Sequence, residues 1–152
     1  MTSEDGDDAA SRFETRAIHA GQEPNPENGA LMQPIYANST YLQDAPGEDR
    51  GYEYSRTGNP TRHALEDNLA ALEGGSYGRA FASGMASINT VMNLLSAGDH
   101  VVAGDDVYGG THRLFEQVYR QYDIDFSFVD TTDLGAVDDA IRPETELLWV
   151  ET

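Results

Sequence analysis

The sequence predicts an α/β protein with a mainly parallel sheet, preceded by an irregular N-terminal arm. Three observations carry that prediction. After Tyr54, short apolar β-rich runs alternate with segments of helical periodicity, a pattern that implies right-handed crossovers and parallel strands. Between Thr15 and Gly51, Pro24, Pro26, Pro34, Pro46 and several glycines break the chain, and few apolar positions recur at helical spacing. The first residues are small, acidic and aperiodic, as in a disordered segment. The expected division is a tail over 1–12, an arm over 13–53, and part of a larger α/β domain over 54–152.

The elements follow in order. Asn59 can cap a helix and Pro60 suits its first turn, where a missing N–H is harmless. Leu65, Leu69 and Leu72 recur at helical spacing, and Gly74-Gly75 ends the run. Arg79 to Ala82 is a candidate strand. Gly84 opens a second helix with Met85, Ile88, Met92 and Leu95 on one face and Gly98 as its stop. His100 to Ala103 reads as a strand. Thr111 to about Tyr122 reads as a helix with Leu114, Phe115, Val118 and Tyr122 inward. Asp125 to Val129 is a strand, Leu134 to Ile141 a short helix and Glu146 to Val150 a strand. That last strand is apolar, and a parallel strand needs cover on both faces. The expectation is therefore a chain that stops within a fold.

Composition narrows the function. Among 152 residues, 27 are acidic and nine basic, a net charge of −18, and all nine basic residues are arginine. Such charge repels nucleic acid and anionic membranes, so neither is an expected partner. The acids are spread along the chain, with only a modest cluster at Glu4, Asp5, Asp7 and Asp8. This favours a halophilic surface, adapted to a high-salt cytoplasm, over a functional acidic tail, because salt screens the self-repulsion. Cysteine is absent, which excludes disulfides and thiolate metal sites. His19, His63, His100 and His112 show no metal-ligand spacing and are read as structural, so no metal is expected. The start of the chain does not resemble a signal peptide. The apolar run Leu147–Val150 is too short to span a bilayer. The expected location is the cytoplasm.

Three segments could carry chemistry. Ligands of open α/β sheets bind outside the carboxyl ends of the strands. Ser83-Gly84-Met85 lies between a strand and a helix, where backbone N–H groups and the helix dipole favour phosphate. Asp105-Asp106-Val107-Tyr108-Gly109-Gly110-Thr111 follows the next strand, so Tyr108 would stand on the same rim, and its ring could lie on a flat heterocycle. In Tyr54-Ser55-Arg56, a hydroxyl and a guanidinium sit two residues apart, able to face one way in an extended segment. Arginine forks match phosphate oxygens.

Taken together, these segments resemble the Cys/Met-metabolism family of pyridoxal-phosphate enzymes, the trans-sulfuration group of the aspartate-aminotransferase fold, of cystathionine γ-synthase and γ-lyase type. The resemblance runs from about Thr15 to Thr152. It includes Ala17-Ile18-His19-Ala20-Gly21-Gln22, Pro34-Ile35-Tyr36, Tyr54–Arg62, Ala82–Ala86, Asp106–Thr111 and Glu151-Thr152. It implies a partial large domain of that fold, binding pyridoxal 5'-phosphate. Gly84 and Met85 would hold the cofactor phosphate through their N–H groups. Tyr108 would stack on the ring and help proton transfer. Tyr54 and Arg56 would reach the neighbouring subunit's phosphate, so that active sites are shared in a homodimer or homotetramer. Arg113 is read as a helix-surface residue.

The resemblance further implies amino-acid substrates: an activated homoserine, cysteine, cystathionine or homocysteine. It also requires a Schiff-base lysine, an aspartate at the pyridine nitrogen and a carboxylate-gripping arginine, all beyond the last family motif met here. The chain itself contains no lysine. One arginine–phosphate bond contributes about 1.5–3 kcal/mol and a helix N-terminus about 0.3–1. These contacts sum to roughly 2–4 kcal/mol, at or below millimolar affinity. The expectation is the N-terminal portion of a trans-sulfuration enzyme, inactive alone. The alternative is a truncated non-catalytic chain, a gene remnant or half of a split enzyme.

The charge pattern makes a prediction. Far-ultraviolet circular dichroism should show loss of structure on transfer from molar salt to dilute buffer, and an unchanged spectrum would refute the high-salt adaptation.

Overall fold

The computed structural model describes residues 12–151. The acidic tail expected over 1–12 lies outside them except for Arg12, as does Thr152. The chain divides into two compact units, one ending at Ala80 and one beginning at Phe81.

In the first unit, helix α1 (Phe13–His19) packs on helix α2 (Pro60–Glu73), and strands β1 (Gln43–Ala45) and β2 (Glu48–Asp49) form a small antiparallel hairpin. The caps of α2 are those the sequence predicts. The Asn59 side chain accepts from the Thr61 amide, Pro60 opens the helix, and Gly74 closes it in the left-handed region. Sequence reading did not find α1, which has seven residues and buries none of them. It is held by polar contacts instead. Asn68 Nδ2 donates to the carbonyls of Arg16 and Ala20 at 3.0 and 2.9 Å, and Arg16 Nη1 donates to the Ala71 carbonyl at 2.9 Å.

Gly21 makes that close approach possible. Its φ is +68°, and a Cβ there would stand 2.7 Å from the Asn68 nitrogen, so a side chain is excluded twice over. The burial of α2 departs from the leucine pattern. Leu65 and Leu69 are exposed, and the residues that the helix buries are small Ala70 and Glu66, which lie toward the Gly75–Ala80 segment. Farther along the arm, Thr61 Oγ1 accepts from the Tyr36 amide at 2.9 Å and donates to the Pro34 carbonyl at 3.2 Å. Asn59 Nδ2 donates to the Tyr36 carbonyl at 3.0 Å. The Pro34-Ile35-Tyr36 segment is thereby tied to the first turn of α2.

The second unit is α/β, with a parallel three-stranded sheet in the order β4-β3-β5, where β3 is His100–Gly104, β4 Asp125–Val129 and β5 Thr145–Trp149. Helices α3 (Gly84–Met92), α4 (Gly109–Gln117) and α5 (Leu134–Ala140) alternate with the strands. Strand β3 is buried along its whole length, as a central parallel strand must be. Its odd-numbered residues, Val101 and Ala103, join Met92, Phe115, Tyr119, Ile124 and Phe126 in one core. Phe115 anchors it: fully buried, it stacks on Phe126 at 4.7 Å between centroids and meets Trp149 edge-on at 5.8 Å. Burying one such ring contributes about 2–3 kcal/mol.

On the alternate face, His100 bridges the sheet. Its Nδ1 lies 2.8 Å from Thr145 Oγ1 on β5 and its Nε2 2.9 Å from Ser127 Oγ on β4.

Three expected elements differ. Helix α3, expected to include Leu95 and stop at Gly98, ends at Met92 with Asn93 as its C-cap. Arg79 to Ala82 does not form a strand. The Ala80 amide donates to the Glu66 carboxylate at 3.0 Å, which takes the donor a ladder would need. The helix expected to run to Tyr122 stops at Gln117 and continues, after Val118, as a 3-10 turn, Tyr119–Tyr122. The tighter turn rotates the face: Tyr119 is buried, whereas Val118 and Tyr122 are exposed. Among the described residues, no helix is long and apolar enough to cross a membrane.

Two charged positions set a pH dependence. The Arg142 hydrogen bond, followed by that of Arg120 and the Phe126 amide, outweighs burial and lowers the Asp125 carboxyl from 3.8 to about 2. Burial first, then nearby Arg142, lowers the His100 imidazole below its ordinary 6.5. Both groups bind protons more weakly folded than unfolded, so both stabilise the fold at neutral pH and lose that effect as pH falls. Denaturant midpoints should drop first as pH passes below 6.5 and again between 3.8 and about 2. His100→Gln should abolish the first step, and an identical two-step profile in that variant would refute the assignment.

Candidate functional site

The residues singled out by sequence fall into one group in each unit. In the first unit, Tyr54 pairs with Thr40 in an isolated antiparallel bridge, and residues 55–57 form a turn rather than the expected extended segment. The turn closes through the Tyr54 carbonyl, which accepts from the Thr57 and Gly58 amides at 3.0 Å each and from Thr57 Oγ1 at 2.8 Å. It still brings the two side chains together, with the Arg56 guanidinium 4.8 Å from the centre of the Tyr54 ring. A cation over an exposed ring gains about 0.5–1 kcal/mol, enough to bias the arginine without immobilising it.

The backbone of this turn is held from α2. Arg62 Nη1 donates to the Ser55 carbonyl at 3.3 Å and Nη2 to the Thr57 carbonyl at 2.9 Å. Arg62 Nε in turn lies 3.6 Å from Glu66 Oε1. Glu66 is only 5% exposed, and a buried carboxylate needs such partners. His63 Nδ1 meets the Tyr52 hydroxyl at 3.1 Å, and the Tyr52 ring stacks on Tyr41 at 5.3 Å. Sequence reading took Arg62 only as part of a motif. Its role was recoverable from position, since a residue in the first turn of a helix faces the loop that precedes it.

In the second unit, Gly84 begins α3 behind an extended Ser83, whose hydroxyl accepts from the Ala86 amide at 3.1 Å. The amides of Gly84 and Met85 come before the first amide engaged by the helix, and such groups require an outside acceptor. A Cβ built on Gly84 would meet nothing within 4 Å, and Gly84 is exposed, so there is open space beside the start of the helix. The first turn of α4 lies beside them. A Cβ on Gly110 would fall 2.3 Å from Tyr108 Cε1 and 2.9 Å from Met85 Sδ. Only glycine there lets the Tyr108 ring lie across the turn next to Met85. Tyr108 as a whole is 62% exposed. Arg113 is exposed on α4.

A residue that sequence reading assigned no role completes this group. Tyr108 caps α4 but offers its helix no side-chain acceptor; the Glu151 carboxylate supplies one. It accepts from the Tyr108 amide at 2.7 Å, Thr111 Oγ1 at 2.6 Å and Trp149 Nε1 at 2.8 Å. Burial acts to raise the Glu151 pKa, yet these three donors together hold it below the ordinary carboxylate value. No local pattern links positions 43 apart; the link exists because β3 and β5 are neighbours. An open pair of helix amides beside an exposed aromatic ring fits a planar, phosphate-bearing group.

Comparison with known proteins agrees. The family of Cys/Met metabolism PLP-dependent enzymes matches residues 14–152, and the chain belongs to that family. It is 56% identical over 143 residues to a cystathionine beta-lyase of Coxiella burnetii, covering 93% of this chain and 37% of that protein. It is 54% identical over 140 residues to a cystathionine gamma-synthase of Mycobacterium tuberculosis, covering 91% and 36%. The crystal structure of cystathionine gamma-lyase from Lactobacillus plantarum complexed with L-serine superimposes with a TM-score of 0.87 at 52% identity, covering 93% of this chain and 37% of that one. The chain spans about two fifths of the length of the curated relatives it matches.

The geometry of the first unit predicts that Arg62→Ala loosens the 55–57 turn by about 1–2 kcal/mol, the scale of hydrogen bonds from a charged donor at a partly exposed site. Amide exchange should accelerate at Thr57 and Gly58 with α2 still protected. Loss of protection throughout α2, or none at the turn, would refute the clamp.

Proposed function

We propose that this chain is the N-terminal portion of a trans-sulfuration enzyme that carries out γ-replacement or γ-elimination on an amino-acid substrate. The observation that carries this reading is the open N-terminus of α3 with the Tyr108 ring beside Met85, in a member of a pyridoxal-phosphate-dependent family. Gly84 and Met85 donate their amides to the cofactor phosphate, and the positive end of α3 favours its charge. Tyr108 stacks on the cofactor ring, and its hydroxyl is placed to hold or move a proton at the substrate. Tyr54 and Arg56 supply a hydroxyl and a guanidinium to the phosphate of a neighbouring subunit, which makes the assembly a homodimer or homotetramer. When bound, the cofactor provides an electron sink for bonds at the substrate Cα.

The substrate class is an activated homoserine, cysteine, cystathionine or homocysteine. The identities to a beta-lyase and a gamma-synthase are nearly equal, so this segment carries what those enzymes share more than what separates them. The lysine that the chemistry needs is absent among these 152 residues. We assign it to sequence following this segment, together with the aspartate for the pyridine nitrogen. Catalysis then belongs to the full-length enzyme, and a cytoplasmic location is part of this proposal.

The test is direct. Full-length enzyme given an activated homoserine and cysteine should form cystathionine, or should release ammonia and an oxo acid from cystathionine. Turnover of neither, with pyridoxal phosphate present, would contradict the assignment.

A further inference from the structure

Two helix N-termini open at the carboxyl edge of the sheet in the second unit, those of α3 at Gly84 and α4 at Gly109. Each attracts an anion for the same reasons. They differ in what fills them. The N-terminus of α4 already holds an anion of the protein's own, the Glu151 carboxylate, on the Tyr108 amide and the Thr111 hydroxyl. Thr111 is fully buried and Glu151 half-buried, so the carboxylate sits at the margin of the core, with its Tyr108 contact on the exposed side. The third donor, Trp149, comes from β5 and fixes the carboxylate from the strand side. All three donors are neutral, and together they hold the carboxyl in its charged form.

We propose that Glu151 is a positioning residue for the cofactor site. By occupying the N-terminus of α4 it fixes the backbone at Tyr108, sets the ring across Gly110 against Met85, and leaves the N-terminus of α3 as the place for the phosphate. The inference rests on the cofactor reading of Tyr108, Gly84 and Met85 given above. It goes beyond that reading by naming what orients the ring. Gly110 only permits the ring position, because it removes a clash. Glu151 enforces it, because the Tyr108 amide it binds belongs to the residue whose ring must be aimed.

Glu151→Gln and Glu151→Ala in the full-length enzyme test the role with two readouts. The first needs no cofactor: protection of the Tyr108 amide against hydrogen exchange should fall by about tenfold or more in Glu151→Ala, the scale expected for losing a charge-assisted hydrogen bond. Glu151→Gln keeps the shape and one acceptor oxygen, so it should lose less, and it carries both readouts if the alanine variant does not fold. The second is the visible circular dichroism per molecule of bound pyridoxal phosphate, which reports ring orientation. It should fall in the order wild type, glutamine, alanine.

Unchanged exchange at Tyr108 overturns the inference. So does a fall in melting temperature with undiminished dichroism per bound cofactor, which is what a purely structural capping residue would give. A wild type that binds no pyridoxal phosphate overturns the cofactor reading, and the orienting role with it. Exchange at Tyr108 then still reports separately whether Glu151 holds its amide.

Discussion

Burial of β3 on both faces is the constraint on which the rest of this molecule depends. A central parallel strand cannot show a face to water, so Val101 and Ala103 need the Phe115 core on one side, and His100 and Val102 need cover on the other. Along its edges, β3 pairs with β4 on one side and β5 on the other. This pairing also decides where chemistry can gather, because parallel strands bring their carboxyl ends to one edge. Tyr108 follows β3 and Glu151 follows β5. Adjacent strands therefore place them in contact although 43 positions separate them.

At that edge, control of charge matters as much as shape. The protein is strongly acidic, which makes it a poor host for an anion in general. Under the proposed reading, local features reverse that tendency. The amides of α3 are left open, glycine keeps bulk away from them, and the α4 terminus is filled by an internal carboxylate. In the first unit, Arg62 gives its hydrogen bonds to carbonyls of the turn, and Arg56 lies over the Tyr54 ring.

Much of this was legible in the sequence, for identifiable reasons. The Asn59-Pro60 cap, the Gly74 stop and the strands at His100 and Asp125 rest on local chemistry, which the chain states directly. The resemblance to a pyridoxal-phosphate family came from motif order, and the match over residues 14–152 agrees with it. What was missed depends on distant partners. Helix α1 has no apolar stripe to detect, because backbone contacts to Asn68 and Ala71 hold it. The segment at Arg79–Ala82 has strand-like composition, but Glu66 takes the Ala80 amide. The inward Tyr119 depends on a change of helical pitch after Gln117, and Glu151 depends on sheet order.

The central claim is that the α3 amides bind a phosphate. Gly84→Pro tests it most directly, because proline at the first helical position removes one N–H while preserving the helix, and Ser83 before it already has the extended backbone that proline requires. The measurement is the affinity of the full-length enzyme for pyridoxal phosphate and for unphosphorylated pyridoxal. Loss of one charge-assisted bond should weaken the phosphorylated form by about tenfold or more and leave pyridoxal unchanged. Equal weakening of both, or of neither, would contradict the account.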